Sequence, residues 1–586
     1  MLPLVSREGK GFLLAAVLAL AVTVTYSNHF DNGFHLDDTH TIVNNVYINS
    51  LHNIPLFFKD GTTFSSLPTN QSYRPVVTTT LAIDYWQGGG VHNTFFFHLS
   101  TFLLFLLQGL FMYFLYLKIF GISGEERLGA ASAFLSVSWY LLHPANAETI
   151  NYVIARSDTL STLSIVLAFV LFIYSPFCRK WHIYLIPVAA GALAKPIAGV
   201  FAPLLLAYLL LFEKKMSLSD LFRGSGIKHA FPALNTAMPA IICSIALMVF
   251  IKKMEPPTWT AGDISGFHYL ITQPYVILHY FVTFFVPAGL SADTDWRRLD
   301  SITDIRFFIG TAFLIILFLA SAVSSKKEKT RPITFGLLWF FIALLPTSLI
   351  PLSEVMNDHR IFLPYVGLTM SVSWSIILML SAIKKSLPSG QYFTRITVSI
   401  LAALMMAYAF GTYQRNKVWK TEETLWRDVT QKSPKNARGL MNFGIALMAR
   451  NDYAGAERNF TEALQMTPDF PYLLINMGVL KMSTGRQGEA EQHFRKAIAH
   501  GPGDPYCYFY YACFLAEYKR TNEAIRNLEK ALQLSPAHPG SRYLLMALYY
   551  ENKDMDRLKA LAQETLRIIP RDSKALFYLA AIKTRL

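Results

Sequence analysis

Charge is scarce in this sequence: 16% of its 586 residues are Asp, Glu, Lys or Arg, against 53% hydrophobic residues. At this length such a ratio excludes a single water-soluble globular domain. Cysteine is scarcer still, with Cys178, Cys243, Cys507 and Cys513 and no CxxC pair. Neither a disulfide framework nor a structural zinc follows from four such residues. Cys507 and Cys513 stand six apart on one predicted helix, point to different faces, and read as packing residues. Also missing are a P-loop, a Gly-rich dinucleotide turn, a GxSxG elbow and an HExxH helix, which removes the support for several large enzyme classes. The net charge of +14 divides evenly, +7 on residues 1–415 and +7 on residues 416–586. Membrane proteins gather Lys and Arg in cytoplasmic loops, so no nucleic-acid partner is expected.

Long apolar runs fill the first part of the chain. A bilayer core of about 30 Å takes roughly 20 apolar residues per helix. Suitable stretches lie near 11–27, 95–117, 128–142, 158–177, 182–195, 196–212, 231–251, 305–323, 332–350, 361–381 and 393–413. These make eleven expected spans, the fifth and sixth meeting at Lys195-Pro196 as a broken hairpin. The first span is read as a retained anchor with a cytoplasmic N-terminus, because Arg7 and Lys10 precede it and TYSNHF offers no cleavage site. With eleven spans the basic loops 118–127, 179–180, 214–228, 326–331 and 384–385 all fall on the cytoplasmic side. Counting 271–287 as a twelfth would move Lys326, Lys327, Lys329 and Arg331 outside, so that segment is expected to lie at the outer face without crossing. Loops 28–94, 143–157 and 351–360 and the C-terminal region then share the extracytoplasmic side.

After Tyr413 the pattern changes. Pro434, Pro468, Pro502, Pro536 and Pro570 recur every 34 residues, and between them Gly444, Gly478 and Ala512, then Phe460, Phe494 and Leu528, then Ala463, Ala497 and Ala531 keep the same register. A 34-residue period with small residues at helix crossings is the tetratricopeptide pattern. Four repeats are expected over 436–572, with a helix bearing Trp426 in front and a capping helix over 573–586. The expected fold is therefore all-α: a polytopic membrane domain, 1–415, followed by an extracytoplasmic solenoid, 416–586. The concave face of such an array suits an extended peptide or another protein. The sequons Asn70-Gln71-Ser72 and Asn459-Phe460-Thr461 are assigned no role.

Ionisable residues at the outer ends of the spans are the informative exceptions. FHLDDTHTIVNN carries Asp37 and Asp38, SYRPVVTTT carries Arg74, and HPANAETINYVIARSDTLS carries Glu148, Arg156 and Asp158. Lys195 lies in GALAKPIAG, and Asp358, His359 and Arg360 lie in MNDHRIFLPYVG. A carboxylate takes a proton from an attacking hydroxyl, while fixed cations hold a phosphate and the charge that grows as it departs. An extracytoplasmic site has no nucleotide sugars, so a lipid-linked phosphate arriving from the bilayer is the expected donor. Each group also has a plain structural use: helix cap or turn for the acidic pair, interfacial anchor for Arg74 and Arg360, ion-pair network for Glu148, Arg156 and Asp158. His35, His40 and His143 show no fixed ligand spacing, so no metal is expected.

The acidic pair after the first span, the YRP, the HPxxxE…xRxD stretch, the Lys-Pro element, the HRxxLPxxG loop and the repeats behind them resemble the transmembrane and tetratricopeptide repeat-containing protein O-mannosyltransferases, members of the GT-C superfamily of glycosyltransferases. The resemblance covers essentially the whole chain. It implies inverting transfer of a sugar, mannose or another hexose, from a polyprenyl-phosphate donor to Ser or Thr of extracytoplasmic proteins, with the acceptor held by the repeats. It implies that Asp37 or Asp38 is the general base, that Arg74, Arg156, Lys195, His359 and Arg360 bind the donor phosphate, and that Glu148 and Asp158 position them. No cofactor is required on this reading. Many relatives carry Lys-Glu where this chain has Lys195-Pro196, which leaves the sugar open. The modest repeat number points to a prokaryotic relative, in a bacterial inner membrane with periplasmic repeats; a eukaryotic one would sit in the endoplasmic reticulum with lumenal repeats. The alternative is a GT-C transferase acting on a lipid or envelope glycan, with the repeats docking partner enzymes.

Overall fold

The computed structural model describes residues 7–124, 126–222, 226–257, 265–387, 390–568 and 572–583. Among them every regular element is a helix, as expected. Two compact units are present, Met1–Leu425 and Trp426–Leu586. The first extends past residue 415 because the helix Gly390–Val418 runs on without a break and Glu422 is held by His35.

In the first unit, eight helices among the described residues are long and apolar enough to cross a membrane, from Phe95–Ser123 to Gln391–Val418, and the shorter apolar helices Leu14–Thr25, Leu128–Leu141 and Leu185–Ala194 accompany them. They coincide with the eleven apolar stretches, and the protein is a multi-pass membrane protein. At one end of the bundle the basic loops meet: Arg179 pairs with both oxygens of Glu213, Lys215 with Glu328, and the Leu218 N–H donates to Ser325 Oγ. The other end is polar and holds the site. The helix Gly266–Phe285 has both its ends tied there: the Tyr269 hydroxyl donates to Thr347 O, and Phe284 O lies 3.0 Å from His143 Nε2.

Helices Arg331–Leu349 and Phe362–Lys385 cross at a pair of glycines. A methyl on Gly336 would strike the carbonyl oxygen of Gly367, and one on Gly367 would meet Trp339 Cβ at 2.5 Å. Backbone on backbone leaves nothing to relax. Gly367→Ala is therefore expected to destabilise the unit by about 1–3 kcal/mol, the usual penalty of overpacking. Wild-type yield and thermal stability of this variant in detergent would contradict the crossing.

The second unit is a stack of helix pairs beginning at Ala437–Ala449 and Tyr453–Met466 and closing with Ser573–Lys583; Pro570 and residues 584–586 lie outside the described residues. The 34-residue register has a packing cause. The Phe460 ring fills the space beside Gly444, and Phe494 that beside Gly478, so a small residue must face each ring. Ion pairs repeat in the same register: Arg486 reaches Glu457 and Glu489, and 34 residues on Arg520 reaches Glu491 and Glu523. Each arginine joins its own repeat to the preceding one.

Candidate functional site

Two adjacent aspartates share one loop but have opposite surroundings. Asp38 is fully buried and accepts backbone N–H bonds from His35 (3.2 Å), Ile154 (2.9 Å) and Val153 (3.4 Å). Burial pushes its carboxyl up to about 7, partly offset by the bonds from His35 and Ile154. The carboxylate pins the loop to the segment before the helix Arg156–Tyr174. Asp37 turns the other way, with 53% of its side chain accessible. Burial of its surroundings raises its carboxyl, but His40, Tyr152 and Arg74 outweigh that and hold it below the usual carboxylate value. Between His35 and these acids Leu36 adopts a left-handed backbone, φ 54°. Such a conformation persists only where neighbours enforce it. His35 supplies the restraint, its ring nitrogens lying 2.7 Å from Glu422 Oε1 and 2.6 Å from Trp419 O.

The cations come from three separate segments, and Arg74 among them acts on Asp37. Pro75 occupies the first turn of the helix Pro75–Gly88 and places Arg74 at its N-cap. The Arg74 guanidinium lies over the Phe64 ring at 5.1 Å, and its Nε is buried without a hydrogen-bond partner. Lys195 is held extended before Pro196, φ −156°, as expected for a residue preceding proline. Its Nζ bridges both oxygens of Asp158 at 2.7 and 2.8 Å. Arg360 binds Glu354 O at 2.9 Å and the Tyr269 hydroxyl at 3.4 Å, neither of them a carboxylate. Arg74 and Arg360 both act electrostatically on Lys195, and all three act on His359. Lys195 and His359 each keep about a quarter of their side chain accessible, 22% and 25%. Glu148 is buried, lies 3.3 Å from His359 Nδ1, and its carboxyl is driven well above the usual range by burial and by Asp358.

Arg74, Lys195, His359, Arg360 and Asp37 are thus brought together, with Asp158 and Glu148 each holding one member. Arg156 is not among them. Its guanidinium is fully buried, paired with Asp84 and hydrogen-bonded to Phe97 O at 2.5 Å and Thr80 Oγ1 at 3.4 Å. Nor do Glu148, Arg156 and Asp158 form the alternative ion-pair network with one another: they pair separately with His359, Asp84 and Lys195. Of the three histidines, His143 is spent on Phe284 O and the Ala145 N–H, and His35 on the contacts above. Among the described residues no group of three His, Cys, Asp or Glu is placed to hold a metal ion. Sequence reasoning passed over Asp84, Tyr152 and the part His40 plays; only the i,i+3 spacing of Asp37 and His40 was a visible signal.

Fold and site together define a multi-pass membrane protein with a polar, cation-rich end and a tetratricopeptide array. The tetratricopeptide repeat family model matches residues 428–508. The chain is 22% identical to Protein O-mannosyl-transferase F38B6.6 of Caenorhabditis elegans over 78% of this chain and 63% of that one. It is 21% identical to human Protein O-mannosyl-transferase TMTC3, covering 76% and 51%, and 24% identical to Drosophila melanogaster Protein O-mannosyl-transferase Tmtc3, covering 79% and 57%. The resemblance read from the motifs is borne out by these relatives. The chain spans between half and two thirds of their length. Among solved structures, YrrB, a TPR protein with an unusual peptide-binding site, aligns with 28% of this chain and 82% of its own at 16% identity and a TM-score of 0.23.

Proposed function

We propose that the chain is an inverting glycosyltransferase that moves a sugar from a polyprenyl-phosphate donor to Ser or Thr hydroxyls of extracytoplasmic proteins, the repeats holding the acceptor. The observation that carries this reading is that the Arg74 guanidinium, which pairs with no carboxylate among the described residues, acts on the accessible Asp37 carboxylate and, together with Arg360, on Lys195. On this scheme Asp37 takes the proton of the acceptor hydroxyl as its oxygen attacks the anomeric carbon from the face opposite the phosphate. The bond from that carbon to the phosphate oxygen breaks, and the electron pair leaves on the phosphate. Arg74, Lys195 and Arg360 hold that charge, and His359, kept in place by Glu148, contributes a ring nitrogen. A single phosphate met by three cations needs no metal for neutralisation. The site belongs on the extracytoplasmic side, since the basic loops occupy the other end of the bundle. The relatives named protein O-mannosyl-transferases support mannose as the sugar and protein as the acceptor.

The test uses the purified full chain in nanodiscs with radiolabelled undecaprenyl-phosphate or dolichyl-phosphate mannose and Ser/Thr-rich peptides. Label is expected in peptide, released by base-catalysed elimination. Label appearing only in lipid or glycan would favour a transferase acting on envelope glycans, and no transfer to any acceptor would end the proposal.

A further inference from the structure

His40 plays no part in the scheme above, yet its ring is fixed on every side. Ser65 Oγ lies 2.9 Å from His40 Nδ1 and 3.1 Å from Leu67 O and accepts from the Leu67 N–H at 3.0 Å, so Nδ1 is held whichever way the hydroxyl hydrogen turns. The His40 carbonyl accepts from the N–H and the hydroxyl of Ser66, 2.9 and 3.1 Å, so residues 65–66 clamp both ring and backbone. Nε2 is left facing Asp37 Oδ1 at 3.3 Å, with the Asn70 side-chain amide also at 3.3 Å; the amide turns its oxygen to the ring when Nε2 carries a proton. Two lone pairs do not face each other at that distance without penalty. The arrangement is favourable when Nε2 carries a proton and donates to Asp37. The side chain is 14% accessible, so solvent does little to relieve a mismatch.

We infer that His40 is the positioning residue of the general base: protonated at Nε2, it holds one oxygen of Asp37 and leaves the other aimed at the acceptor hydroxyl. This rests on the assignment of Asp37 as base. The charged and titratable groups facing that carboxylate are His40 on its own loop, Tyr152 and Arg74 from neighbouring segments, and Asp38 behind it. Ser65 and Asn70 facing the ring are neutral. When Asp37 has taken the acceptor proton, His40 keeps the carboxyl from rotating away until the sugar has left the phosphate.

The experiment measures kcat, KM and the pH profile of mannosyl transfer by the full chain in nanodiscs, with polyprenyl-phosphate mannose and a Ser/Thr peptide, for His40→Ala, His40→Gln and Asp37→Asn. His40→Ala is expected to lower kcat by about 10- to 100-fold, with KM for the lipid donor within about twofold, because the phosphate cations are untouched. His40 lowers the proton affinity of Asp37, so its removal moves the acidic limb of kcat/KM to higher pH. His40→Gln retains an amide donor without the charge; it is expected to recover most of kcat while keeping the shifted limb. Wild-type kcat and an unmoved acidic limb in a folded His40→Ala enzyme would overturn the inference. Activity in Asp37→Asn would instead overturn the assignment of the base, which separates the two failures.

Discussion

Asp37→Asn is expected to lower kcat for sugar transfer by about 10²- to 10⁴-fold, the usual contribution of a positioned general base. Binding of the lipid phosphate should be unaffected, since Arg74, Lys195 and Arg360 keep their places. Asn matches Asp in volume and hydrogen-bonding reach but does not accept a proton, so the loss reports chemistry rather than packing. Asp38→Asn is expected to behave differently. Its carboxylate accepts three backbone N–H groups, and an amide presents hydrogens to at least one of them. The yield of folded protein falls, while the turnover of the surviving fraction stays within a few fold of wild type. Transfer assays normalised to monodisperse enzyme separate the two outcomes. Wild-type turnover in Asp37→Asn would remove Asp37 from the chemistry, and an inactive but well-folded Asp38→Asn would return the base to the buried residue.

The contrast between neighbouring aspartates also marks how far residue order alone could reach. Apolar runs announced the helices now seen from Leu14–Thr25 to Gln391–Val418, because a bilayer demands length and hydropathy and little else. The 34-residue register announced the repeats, since each phenylalanine needs a small residue across from it. Charged residues at helix ends pointed to the candidate site, because such positions are costly in a membrane. What spacing did not carry was direction. Asp37 and Asp38 differ through a left-handed Leu36 and amides supplied by Val153 and Ile154, more than a hundred residues away. The resemblance implied Arg156 as a phosphate ligand, yet its guanidinium pairs with Asp84, while Lys195 takes Asp158. Its partner, Asp84, belongs to the helix Pro75–Gly88, inside a stretch expected only as loop. Partner choice in the interior is a long-range property, and a single chain read along its length does not display it.

That buried pair leads to the second large effect. Arg156 is wholly inaccessible and Asp84 nearly so, at 0% and 2%. Removing one member strands the other in a low-dielectric interior, which destabilises by about 3–5 kcal/mol, whereas replacing both by apolar groups of similar size is often neutral. Arg156→Met is therefore expected to lose most folded protein, as is Asp84→Leu, and the double variant to recover near wild-type stability in a thermal scan in detergent. The same cycle reports function. With Arg156 serving only to tie Arg156–Tyr174 to Pro75–Gly88, and thereby to seat Arg74 at the N-cap of the latter helix, the double variant regains transfer along with stability. A double variant that folds as wild type but no longer binds the donor phosphate would place Arg156 back among the phosphate ligands, against the direction its guanidinium takes toward Asp84, Thr80 and Phe97.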